Sequence, residues 1–126
     1  MAHVLAFIPD LLFGSRVQAA LLADGQTVEL TGDPEAVAGA LAGASVLVVD
    51  LTDADYGGVS LVEALSAQGS LVGVRTLAFY SHVDVEMRAR AEQGGLDMVV
   101  PRSRMAREGP ALVAKLLQGQ ELPEES

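Results

Sequence analysis

Apolar and polar positions alternate in blocks along the chain, and the blocks change period as they go. His3 to Ile8 is a continuous apolar run, as a strand covered on both faces requires. Pro9-Asp10 ends it, and Leu11 to Ala23 follows with helical spacing at Leu12, Val17, Ala20 and Leu21, stopped by Gly25. Thr27 to Leu30 reads as a short strand. Asp33-Pro34-Glu35 is a helix start: a capping carboxylate, proline at the first helical position and acid in the first turn. Val37 and Leu41 supply that helix's buried side, and Gly43 closes it.

Ser45 to Leu51 (SVLVVDL) is the clearest buried strand and contains Asp50 near its end. A polar loop with Asp53, Asp55, Gly57 and Gly58 leads into a helix from about Val59 to Gln68, with Gly69 as its stop. Arg75 to Tyr80 is a fourth strand, with Ser81-His82 at its exit. Asp84 is placed to cap a helix ending at Gly94-Gly95. Met98 to Val100 is a fifth strand, followed by Pro101-Arg102-Ser103, and a last helix is expected from about Glu108 to Leu117 with Pro110 in its first turn. Five strand–helix alternations with short connections predict an α/β fold. Its five-stranded parallel sheet would be doubly wound as (βα)5, with right-handed crossovers. The length favours the flavodoxin-like strand order over the longer dinucleotide-binding one. Residues 1–119 are expected to form one domain, and 120–126 an acidic tail frayed from it.

Composition narrows the function classes. The net charge is −9, from eight basic and seventeen acidic residues, which argues against nucleic acid as a direct partner. No apolar run approaches the ~18 residues of a membrane span, and no charged leader precedes an apolar N-terminal segment. The absence of cysteine removes disulfides and thiolate chemistry, and a cytoplasmic location is the simplest expectation. Charge is unevenly spread: residues 1–80 carry a balance of −7, whereas 81–120 carry +1. Glycine-rich dinucleotide loops, a P-loop and a GxSxG elbow are all missing from the sequence.

In an open parallel sheet the functional crevice lies beyond the carboxyl ends of the strands. Asp10, Asp50, Ser81 and Arg102 all fall there. Two carboxylates at such an edge can hold a hard divalent cation, and a carboxylate can also serve as nucleophile toward a phosphoryl donor. Each residue also has a plainer reading: Asp10 as a helix cap, Ser81 as a loop hydroxyl bonding nearby backbone, Asp50 as an ordinary polar strand end.

These residues, in this order, resemble the receiver domains of bacterial two-component response regulators, over about His3 to Leu117. Receivers carry an acidic pair after the first strand, a phosphorylatable aspartate ending the third, a serine or threonine after the fourth and Lys-Pro after the fifth. The corresponding positions here are Pro9-Asp10, Asp50, Ser81 and Arg102-Ser103. Gly58, eight residues after Asp50, and Gly95-Leu96-Asp97 before the fifth strand fit as well. The resemblance implies a phospho-acceptor at Asp50, Mg2+ held by Asp10 and Asp50, and phosphoryl contacts from Ser81 and Arg102. It implies a kinase or downstream target as protein partner, and no enzymatic activity beyond self-phosphorylation and dephosphorylation.

Departures from the pattern are specific. Pro9 stands where an acid is usual, and Arg102 where a lysine is. His82 follows Ser81 and would crowd the rim, and Val99 falls where many receivers place an aromatic. A planar guanidinium prefers fixed bidentate geometry, so Arg102 is not a conservative replacement and is expected either to contact phosphoryl oxygens or to pair permanently with Asp10 or Asp50. The chain therefore reads as an atypical single-domain receiver. The alternative is a phosphorylation-independent pseudo-receiver acting as an interaction or dimerisation module. Arg88, Arg90, Arg104 and Arg107, interspersed with Glu86, Glu92 and Glu108, mark the expected partner face. A homodimer through a self-complementary contact there is the corresponding expectation, against a merely solvated helix face.

Overall fold

The computed structural model describes residues 3–52, 57–81 and 85–121, with side chains described through 118. Five strands form one parallel sheet: β1 (His3–Phe7), β2 (Thr27–Thr31), β3 (Val46–Asp50), β4 (Arg75–Tyr80) and β5 (Met98–Pro101). Their order is β2-β1-β3-β4-β5, the expected flavodoxin-like arrangement. Helices α1 (Leu11–Ala23), α2 (Pro34–Ala40), α3 (Gly57–Ala67), α4 (Val85–Gln93) and α5 (Arg102–Glu121) make the crossovers, with a 3-10 turn over Leu41–Gly43 after α2.

Because successive strand side chains point to opposite faces, the central strands feed two separate cores. Val4, Ala6, Val46, Val48, Leu77 and Phe79 face α1 and α5, whereas Leu5, Phe7, Leu47, Val49 and Ala78 face α2, α3 and α4. This double burial explains the unbroken apolar runs of β1 and β3. At the amino edge, Asp97 Oδ2 accepts from the Thr76 N–H and hydroxyl, while the Asp97 N–H donates to Thr76 Oγ1, so the buried Thr76 pins β4 to the entry of β5.

Local signals landed where expected at α1, β4 and the start of α2, where Asp33 Oδ1 accepts from the Glu35 N–H at 3.0 Å behind Pro34. One element differs. The last helix begins at Arg102, not near Glu108, so Pro110 lies inside it and not in its first turn. An interior proline costs a helix about 3 kcal/mol. The apolar stripe that repays it starts earlier than Glu108: Met105, Leu112, Val113 and Leu116 are all buried against the sheet. The helix also continues to Glu121, past the expected end at Leu117. The Asp84 cap expected for α4 lies outside the described residues.

Candidate functional site

The carboxyl ends of β1, β3, β4 and β5 converge on one edge, and the four sequence-selected residues are distributed along it. Asp50, the last residue of β3, lies beside Phe79 of β4 and is 4 % exposed. Its Oδ1 accepts from the Thr52 N–H at 2.7 Å and from the Thr52 hydroxyl at 2.5 Å. The Asp-x-Thr spacing thus forms a side-chain turn that fixes the carboxylate as the chain leaves the strand. Gly58, in the first turn of α3, presses on the same point. A β-carbon there would sit 2.2 Å from the Asp50 carbonyl oxygen. That contact explains why a glycine occurs at this spacing from Asp50.

Asp10 performs two tasks at once. Its Oδ1 caps α1 by accepting from the Phe13 N–H at 3.2 Å, as the plainer reading held. Its Oδ2 pairs with the Arg102 guanidinium at 3.4 Å. Arg102 also lies over the Phe13 ring, 4.1 Å from the centroid, and Phe13 in turn packs on Phe79 at 5.2 Å. Of the two pairings foreseen for Arg102, the structure forms the one with Asp10. Among the described residues Asp50 takes hydrogen bonds from Thr52 alone. Ser81 is exposed after β4, and Pro9 is exposed between β1 and Asp10; His82 lies outside the described residues.

The arginines of the expected partner face are spent internally. Arg90 holds Glu63 of α3 with two hydrogen bonds of 2.7 and 3.1 Å, and Arg88 pairs with Glu92 at 3.2 Å while covering the Tyr80 ring. Arg104 and Arg107 both reach Glu108, at 3.2 and 3.4 Å. Hydrogen bonding from Arg90 lowers the Glu63 pKa, and hydrogen bonding from Arg104 lowers that of Glu108. Such exposed pairs contribute little stability. Their effect is to leave α4 and the start of α5 nearly neutral in place of a basic patch.

The receiver resemblance implies a divalent cation at this edge. Mg2+ demands close to octahedral oxygen coordination and is usually held by carboxylates with free oxygens. One Asp10 oxygen caps α1 while the other is held by Arg102, Asp50 Oδ1 is held by Thr52, and Pro9 brings no carboxylate. No group of three potential ligands gathers among the described residues. What the described residues offer a divalent ion at this edge is the two carboxylates of Asp10 and Asp50, the first already paired with Arg102 and the second with Thr52. A hollow of about 350 Å3 at the opposite edge, lined by Arg75, Thr76 and Asp97, stands apart from these groups.

Sequence reasoning missed Thr52, although an Asp followed two residues later by Thr at a strand exit is a recognisable turn signal. It also missed the stacking of Arg102 on Phe13, which depends on α1 and α5 packing side by side.

Architecture and edge geometry together define a class: the chain has the fold of response-regulator receiver domains. The solved structures it resembles include a CheY-like response regulator receiver domain protein from Methanospirillum hungatei, with a TM-score of 0.83, 16% identity, and 96% of this chain and 97% of that one covered. The receiver domain of Francisella response regulator 1452 superposes with a TM-score of 0.82 at 16% identity over 95% of this chain and 99% of that one. The receiver domain of the response regulator NarL from Mycobacterium tuberculosis gives 0.77 at 19%, over 94% and 97%. No family model matches the chain, and neither does any curated protein. No helix among the described residues is long and apolar enough to cross a membrane.

Proposed function

We propose that this chain is a receiver-fold signalling module that acts by contacting another protein, without Mg2+-dependent phosphorylation of Asp50. One observation carries the reading: Arg102 is already paired with Asp10 and stacked on Phe13, so a fixed cation stands on the one carboxylate that follows β1. A guanidinium held by both a carboxylate and an aromatic face is pre-organised and does not need a metal to neutralise the edge. Asp50 then has a structural role, closing the turn at the end of β3 through Thr52.

The burial of Asp50 at the carboxyl edge of the sheet, with α3 pressed on its carbonyl, favours a second reading in which Asp50 is a phospho-acceptor. Thermal unfolding across a Mg2+ titration separates the two. The proposed reading predicts no saturable rise in Tm, and the same flat response in Asp10→Asn. A saturable rise that Asp10→Asn abolishes would overturn it. A downstream target, or a second copy in a homodimer, is the partner of the proposed reading, and a kinase is the partner of the phospho-acceptor reading.

A further inference from the structure

A hollow of about 460 Å3 opens between the start of α5 and the first turns of α1, a volume within the range of small-molecule sites. Phe13 of α1, Pro101 at the end of β5 and Ala106 of α5 give it an apolar wall, against which an organic body is shielded from water. The polar side chains on it all carry hydrogen-bond donors: the guanidiniums of Arg16 and Arg102 and the hydroxyls of Tyr80, Ser81 and Ser103. No carboxylate among the described residues lines it. Asp50, turned to Thr52, is not part of it.

Charge sets the class of ligand. Arg102 already stands against Asp10 Oδ2 at 3.4 Å. Arg16 is the only lysine or arginine in residues 1–74, and it pairs with no carboxylate among the described residues, in a chain of net charge −9. Two guanidiniums against one carboxylate leave a single positive charge over. One further carboxylate cancels it and matches the planar fork of a guanidinium.

A dianion fits less well, because its second charge meets no free cation in the hollow and adds to an acidic chain. An inorganic anion of any charge is too small to cover Phe13, Pro101 and Ala106 while it sits on Arg16. The ligand that satisfies both the wall and the charge is therefore an apolar body carrying one carboxylate.

We propose that this hollow binds a small organic monocarboxylate, its carboxylate on Arg16 and its apolar body against Phe13, Pro101 and Ala106. The charge count rests on the Arg102–Asp10 pair of the reading above, but the two fail separately. Phosphorylation of Asp50 would overturn that reading and leave Arg16 as it is. Charge-indifferent binding in the hollow would remove the ligand and leave the Arg102 pairing intact.

The test titrates the full chain, isotopically labelled, with naphthoate, with its neutral counterpart naphthamide and with inorganic phosphate. Naphthoate is expected to shift the amide signals of Arg16, Ser103 and Ala106 saturably and to bind about tenfold more tightly than naphthamide. Arg16→Gln should remove that advantage. Ala106→Leu, which fills the hollow from an exposed position, should weaken naphthoate at unchanged Tm. Four outcomes would each overturn the proposal: no saturable shift; an advantage over naphthamide that Arg16→Gln leaves unaltered; inorganic phosphate binding as tightly as naphthoate; or shifts centred on Asp50 and Thr52 in place of Arg16 and Ala106.

Discussion

Replacing Gly58 with alanine should be among the most damaging single-methyl additions this fold can receive. The added β-carbon would stand 2.2 Å from the Asp50 carbonyl oxygen, 3.1 Å from its carbon and 3.2 Å from a Leu51 methyl. Carbon and carbonyl oxygen rarely approach within about 3.3 Å, so the start of α3 must retreat from β3 by about 1 Å. The obstacle is backbone, which no rotamer change can relieve. Overpacking of this kind costs about 1–3 kcal/mol and occasionally more, against a helix-propensity gain for alanine of at most ~1 kcal/mol. At 2.2 Å from a backbone atom the cost belongs at the upper end of that range, so a net loss of about 2 kcal/mol is expected, lowering Tm by about 8 °C for a chain of this size. Urea unfolding of Gly58→Ala beside Gly39→Ala provides the measurement. Gly39 lies on the exposed side of α2 with open space around it, so its replacement should be neutral or stabilise by up to ~1 kcal/mol. If Gly58→Ala unfolds within about 0.5 kcal/mol of wild type, the close approach of α3 to Asp50 is wrong.

Thr52→Ala removes one of two donors to the buried Asp50 oxygen and should cost about 1.5 kcal/mol in urea unfolding, with Thr52→Ser recovering most of it. Arg90→Gln should return the Glu63 pKa toward its ordinary value of 4.5, read by NMR titration of the side-chain carboxyl. Because Glu63 is depressed in the folded chain, its contribution is present above the unfolded pKa and fades as pH falls through the folded one. The link between α3 and α4 should therefore loosen only on acidification below the ordinary glutamate range. Arg102→Ala frees Asp10 and uncovers Phe13, and should lower stability by about 1 kcal/mol, since both partners of the ion pair are half-exposed.

How far the sequence carried depended on the range of the interaction involved. The limits of α1 and β4 were legible because punctuation is local: Asp10 and Asp33 cap, and the apolar runs stop at polar residues. The strand order followed from alternation and length. Where two local signals competed, the reading failed. Pro110 looked like a first-turn proline, while Met105, one helical turn before Gly109, had already begun the buried stripe of α5. The positions of Asp10, Asp50, Ser81 and Arg102 at one edge were also legible, since strand ends locate them. Their partners were not. Whether Arg102 meets Asp10 or Asp50 depends on where Phe13 stands, a matter of α1 packing against α5. Glu63, which pairs with Arg90, comes from α3, twenty-seven residues earlier, and so does not figure among the glutamates that the sequence sets beside the arginines. Thr52 lay only two residues from Asp50, a local signal that went unread.

The central claim is that Arg102 has taken the place of a bound cation and that Asp50 is not a phospho-acceptor. Intact mass after incubation with acetyl phosphate and Mg2+, comparing wild type with Asp50→Asn, tests it most directly. No phosphoryl adduct is expected on either protein. A base-labile gain of one phosphoryl group in wild type, absent from Asp50→Asn, would contradict it and restore Asp50 as the reacting residue.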